Sequence, residues 1–218
     1  FTLVTTLERV RFVGKPLVFA ICLLPALLVV TDLFEITGRL GANPVEEILD
    51  RFGNWGLRFV LLTLAVTPLR RVTGLSWLTQ FRRMIGLFAF FYVSMHFLTW
   101  LVLDQGLYVA GIAEDIIERP FITLGMLALV LLCAMAATST KGMRRRLGRR
   151  WNQLHYSVYV VGVLGIWHYW WQVKADVREP LIYAIILGAL LGHRLWHRYR
   201  PARVGSTRVA FGNKPKSI

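Results

Sequence analysis

The sequence predicts an all-α integral membrane protein, a bundle of six transmembrane helices with both termini in the cytoplasm. Three observations predict it. Of the 218 residues, 56% are hydrophobic, and the mean hydropathy is +0.52, well above a soluble domain of this size. The apolar residues come in blocks rather than amphipathic stripes, and the blocks approach the ~20 residues needed to cross a ~30 Å hydrocarbon core. The charge is distributed unevenly between the segments that separate the blocks.

The blocks fall at roughly 16–34, 54–69, 84–103, 121–138, 152–171 and 180–196. Pro16, Pro120 and Pro180 stand where helices should start, the position at which proline costs least. Pro25 lies inside the first block and should kink it. The first block is too long for a cleavable signal peptide and has no small-residue cleavage site behind it, so it reads as a true span. The second is the shortest, contains Arg58, and is closed by Pro68. The outer loops are expected at 35–53, 104–120 and 172–179. In the first of these Asn43-Pro44 starts a turn and "PVEEILDRF" could form a short surface helix. No internal repeat is apparent. The domain reading is a membrane domain over 1–200 and a basic cytoplasmic tail over 201–218, with too few residues after the sixth block for a nicotinamide-binding domain.

The net charge of +14 could suggest nucleic acid, but its placement points elsewhere. The segments before block one, between two and three, between four and five, and after six hold twenty of the basic residues and one acid, Glu8. This is the positive-inside pattern, with contact to anionic lipid, and nucleic-acid binding is not expected. The chain has no GxGxxG, P-loop or GxSxG. Cys22 and Cys133 fall inside apolar blocks without CxxC or CxxCH spacing, so they read as packing residues; covalent c-type haem and iron–sulfur clusters are not expected.

The five histidines carry the functional signal. His96 and His168 fall in the outer halves of blocks three and five, at a shared depth on different helices. An ionisable residue inside a span is expensive and asks for a functional partner. Such a pair can relay protons, bind a metal, or clamp one iron between two imidazoles; it can also be a plain interhelical hydrogen bond. A ligating histidine would further need an acceptor for its second ring nitrogen, and Ser94, Thr99 or a carbonyl of the preceding turn could serve. His155 lies about 20 Å of helix rise from His168, near the inner surface, and about 140° away around an ideal helix. The two therefore serve different neighbours, or the helix is distorted near Gly162 and Gly165. Thirteen residues before His96 stands Arg83, not a histidine, so His155 has no obvious partner on block three. His193 and His197 in "HRLWHR" have i, i+4 spacing able to bind a metal, and also read as a basic interfacial motif with a tryptophan anchor. Arg82 and Arg83 at the mouth of block three are snorkelling anchors, or guanidinium forks for haem propionates or a flavin phosphate. "WHYWW" at the outer end of block five belongs to an aromatic belt, or lines a cofactor edge.

The stretches "LGANPVEEI", "LTLAVTPLRR", "FRRMIGLFAFFYVSMHFLTW", "RPFITLGMLAL" and "ATSTKGMRRRLGRRWNQLHYSVYVVGVLGIWHYWW" together resemble the MsrQ (YedZ) family of ferric-reductase-like transmembrane proteins, over roughly residues 35–197. The resemblance implies a multi-pass protein of the bacterial inner membrane that binds haem b through His96, His155 and His168, and that binds FMN. It implies electrons taken from the quinone pool or a cytosolic flavin reductase. They would be delivered to MsrP, the periplasmic molybdopterin subunit that repairs oxidised methionine. NADPH oxidases, related to this family, carry two histidines on each of two helices; block three here offers one. One haem held by His96 and His168 is therefore expected, a second is possible, and FMN or a differently ligated haem would occupy an inner station near His155.

On this reading the chain is an electron-transfer subunit of an oxidoreductase system and does not itself reduce methionine sulfoxide. The acidic residues Glu46, Glu47, Asp50, Glu114, Asp115 and Glu118 of the outer loops could dock a partner, or be simple solvated loops. The alternative is a histidine-relay proton channel or transporter, which would call for discontinuous helices or an inverted repeat.

Overall fold

The computed structural model describes residues 8–173 and 176–199, and every regular element within them is helical. The anticipated tail over 201–218 lies outside the described residues. In chain order the elements are α1 (Val10–Leu33), α2 (Pro44–Thr73), a 3₁₀ turn (Ser76–Gln80), α3 (Arg82–Asp104), α4 (Val109–Glu118), α5 (Pro120–Ala137), α6 (Lys141–Leu147), α7 (Arg149–His155), α8 (Ser157–Gln172) and α9 (Arg178–Tyr199). Four of them, α1, α2, α3 and α5, are long and apolar enough to cross a bilayer.

Long-range contacts fix the direction of the six longest helices. Asp32 at the end of α1 pairs with Arg51 near the start of α2. His96 of α3 reaches Leu49 of α2, and His168 of α8 reaches Phe121 of α5. Arg58 of α2 bonds Tyr183 of α9, while Arg194 bonds Leu64 and Tyr159. The helices therefore alternate in direction. One end of the bundle carries Glu46, Asp50, Asp104, Asp176 and Glu179; the other carries Arg70, Arg71, Arg82, Arg149 and Arg194. Large apolar side chains such as Phe19, Leu24, Val130, Val163 and Ile185 point outward and are exposed, as a lipid-facing surface requires.

Packing inside depends on small residues and rings, the usual basis of helix association in lipid. Gly56 lets α3 approach α2 so closely that a Cβ there would lie 2.7 Å from a methyl of Val93. Phe59 stacks on Phe88 and on Tyr92, with ring centroids 5.8 and 5.1 Å apart.

Two prolines open helix rungs, and each opening is filled from another helix. Pro25 in α1 disturbs the bond from Ala26 N–H to the Cys22 carbonyl. The fully buried Tyr92 hydroxyl enters there, accepting from Ala26 N–H at 3.0 Å and donating to Cys22 O at 2.7 Å. Pro68 cannot donate to the Leu64 carbonyl, which is buried; Arg194 of α9 donates to it instead at 2.7 Å.

Several boundaries differ from the sequence expectation. Pro68 does not close the second block: α2 continues to Thr73 and stops at Gly74, whose φ of 73° provides the left-handed cap. The "PVEEILDRF" segment is not a separate surface helix but the first turns of α2. Pro44 opens that helix, and the Asn43 side chain accepts from Glu46 N–H. Pro16 stands in the first turn of the α-helical part, Lys15–Leu33, as expected, but a π segment, Val10–Gly14, leads into it. Block five is broken at Tyr156, between α7 and α8, rather than near Gly162 and Gly165. The 104–120 loop contains the helix α4.

Candidate functional site

His96 and His168 meet in the interior near the acidic end, with ring centroids 6.0 Å apart and planes at 89°. Each ring is held the same way. Nδ1 of His96 bonds the Leu49 carbonyl at 2.9 Å, and Nδ1 of His168 bonds the Phe121 carbonyl at 2.7 Å. A carbonyl can only accept, so Nδ1 carries the proton in both rings, and in the neutral imidazole Nε2 keeps its lone pair. Both bonds reach across 47 residues of sequence. A glycine one turn after each accepting residue packs on the ring: a Cβ at Gly53 would fall 2.9 Å from His96 Nδ1, and one at Gly125 3.0 Å from His168 Nδ1. The hairpin α2–α3 is thus repeated by α5–α8 with an offset of 72 residues. That repeat is absent from the sequence reading; its legible trace is a glycine followed 43 residues later by a histidine, twice.

The two rings face a cavity of about 990 Å³. Its inner walls are apolar, with Leu57, Val60, Leu129, Leu132 and Val161, and its mouth is polar, with Asp50, Asn54, Arg119 and Glu179. Among the described residues no group of three His, Cys, Asp or Glu side chains could hold a bare metal ion. Two imidazoles alone do not close a protein site, but they suffice for an ion that brings its remaining ligands in a planar macrocycle. The 6.0 Å between the ring centroids leaves room for such an ion between them. Donor set, spacing and apolar cavity all fit haem.

The other expected site residues lie elsewhere. His155, Arg82 and Arg83 sit at the basic end, about 20 Å of helix rise from the histidine pair. His155 stacks on Trp151 at 3.8 Å and bonds its carbonyl at 3.1 Å. Arg82 is half-buried and within electrostatic reach of His155 and Arg194; Arg83 is exposed. With the 72-residue offset, Arg83 is the counterpart of His155. His193 and His197 have ring centroids 4.4 Å apart and do not approach the pair. Of the "WHYWW" run, Trp171 lines the cavity while Trp167 stacks on it from the exposed side.

Three features of this region escaped the sequence reading. The second-nitrogen acceptors are carbonyls of α2 and α5, not Ser94, Thr99 or the preceding turn. Arg58 is satisfied by Tyr183 at 2.8 Å and by the Trp55 ring at 5.0 Å. The outer acids are not all free loop residues: Glu47 pairs with Arg51, and Asp115 pairs with Arg119 while also accepting from Gln105. Cys22 is buried as expected, but Cys133 faces outward; both are free thiols.

The ferric reductase like transmembrane component family matches residues 52–166. The protein-methionine-sulfoxide reductase heme-binding subunit MsrQ of Ralstonia nicotianae is 53% identical over 182 residues, covering 82% of this chain and 83% of the relative. MsrQ of Xanthomonas oryzae pv. oryzae is 46% identical over 202 residues, covering 91% and 93%. MsrQ of Xanthomonas campestris pv. campestris is 51% identical over 164 residues, covering 75% of each. No solved structure matches the chain significantly.

Proposed function

The chain belongs to the MsrQ family of ferric-reductase-like membrane components, and from that premise we propose that it is a haem b electron-transfer subunit whose iron ligands are His96 and His168. The observation that carries this reading is the half-buried imidazole pair lining the cavity, each ring fixed through Nδ1 by a helix carbonyl and left with Nε2 as donor. Bound haem supplies a one-electron carrier in the membrane interior. The chain's own residues do the rest. The Leu49 and Phe121 carbonyls hold the tautomer and the ring orientation. The apolar walls exclude water from the pair.

The reading of six spans with both termini in the bacterial cytoplasm is supported by the alternating directions of the six longest helices and by the positive-inside charge pattern. In this orientation the basic end faces the cytoplasm and receives electrons from the quinone pool or a flavin reductase. His155, Arg82 and Arg83 form the inner station, and the guanidinium groups suit the phosphate of FMN or a carboxylate. The acidic end faces the periplasm, where a methionine-sulfoxide-reducing partner of the MsrP type accepts the electrons. The names of the relatives, heme-binding subunits of a protein-methionine-sulfoxide reductase, support this destination.

The test is a reduced-minus-oxidised visible spectrum of detergent-purified protein, with haem and flavin quantified per chain. A b-type spectrum lost in His96→Ala and in His168→Ala but kept in His193→Ala is expected. A folded but colourless protein from haem-sufficient cells would overturn the reading and favour a histidine proton relay.

A further inference from the structure

We propose that Gly53 and Gly125 are positioning residues that uncover the carbonyls holding the two imidazoles; the inference rests on the haem reading above. In an α-helix the carbonyl of residue i accepts from the N–H of residue i+4, and the Cα–Cβ bond of i+4 leans back toward the helix N-terminus, over that carbonyl. Gly53 stands four residues after Leu49, and Gly125 four after Phe121. A side chain at either position would shield the carbonyl from the approaching ring. The space it would need is taken: the nearest atom to a Cβ at Gly53 is His96 Nδ1 at 2.9 Å, and at Gly125 it is His168 Nδ1 at 3.0 Å. The bare backbone lets one carbonyl serve two donors, its own helix N–H and the histidine of the facing helix. This fork fixes the Nδ1–H tautomer and sets how far each ring reaches toward the other. The same device occurs in both hairpins with the same spacing.

Other glycines of the same interface do something different. Gly56 also admits the facing helix, but the atom it admits is a Val93 methyl at 2.7 Å. Gly56→Ala therefore disturbs α2–α3 packing without meeting an imidazole, and it separates a general packing effect from a ligand-positioning one.

The experiment compares wild type, Gly53→Ala, Gly125→Ala and Gly56→Ala as purified full-length chains. Haem affinity, ferric spin state and midpoint potential are read, with helicity and thermal unfolding as the check on folding. Wild type should be low-spin. Gly53→Ala and Gly125→Ala should each lose about 10- to 100-fold in haem affinity, as loss of an outer hydrogen bond to a metal-bound histidine does. The remaining haem should turn partly high-spin with a shifted potential. Gly56→Ala should lower the unfolding temperature and stay low-spin. Unchanged spin state and affinity in both histidine-facing variants would overturn the inference while leaving the haem reading intact, and so would the same spectral change in Gly56→Ala. A folded, haem-free wild type would overturn the haem reading itself. If neither alanine variant folds, the wild type decides: Nδ1 protons held on the Leu49 and Phe121 carbonyls should exchange slowly in D₂O when followed by electron–nuclear double resonance. Immediate exchange would overturn the inference.

Discussion

At the acidic end of the bundle the two related hairpins deliver the same group, one imidazole each, on matching carbonyls and against matching glycines. At the basic end the same 72-residue relation pairs His155 with Arg83. One end therefore presents two imidazoles to one cavity; the other offers an imidazole stacked on Trp151 and a permanently charged guanidinium. The difference teaches where the repeat is under chemical constraint. On the proposed function, a centre ligated from two sides would need symmetry, and the histidine pair has it. A station for an anionic cofactor or a docking partner would need positive charge, and there the two hairpins differ.

The strongest way to break this contrast is to remove one imidazole of the pair. His96→Ala or His168→Ala should cost more than the ~100-fold that loss of an outer-shell partner can cost, leaving no haem after purification, as read from the pyridine haemochrome. His155→Ala sharpens it from the other side. That variant should keep the haem content and low-spin spectrum of the pair, while stopped-flow spectroscopy with a reduced quinol or flavin donor shows slower reduction.

Smaller effects probe the supports at the two ends. Arg194→Met strands the Leu64 carbonyl that Pro68 cannot serve, and should cost about 1–3 kcal/mol in unfolding. Adding Pro68→Ala supplies a backbone N–H for that carbonyl, so the double variant should recover part of the loss, a coupling that thermal denaturation of the four-member cycle measures. Tyr92→Phe removes the hydroxyl from the α1 kink and should cost about 1–3 kcal/mol, with the spectrum of the histidine pair unchanged. Exposed ion pairs come last: Arg39→Ala, which breaks the pair with Glu35, should change stability by at most about 1 kcal/mol.

Much of this architecture was legible in the sequence. Apolar blocks mark the helices because the bilayer fixes their length, and depth along the blocks sets His96 and His168 level. What stayed hidden was whatever depends on a partner helix. The sequence shows Pro68 but not the Arg194 side chain that compensates it, so α2 seemed to end early. It shows Gly53 amid polar residues, which reads as a loop, although the glycine is there for a histidine 43 positions away. The second-nitrogen acceptors were sought among side chains and local turns, whereas they are carbonyls of other helices, and a carbonyl leaves no mark on residue type. The repeat was missed because it is carried by a few positions of contact and not by similar composition.

The hydroxyl in the α1 kink bears on how the chain is made. Ala26 and Cys22 leave the ribosome 66 and 70 residues ahead of Tyr92. At a synthesis rate of about 5–20 residues per second, that delay is roughly 3–14 s. For that interval α1 carries an open backbone rung with no lipid group able to close it. The first helix therefore completes its own hydrogen bonding only after the third has been synthesised.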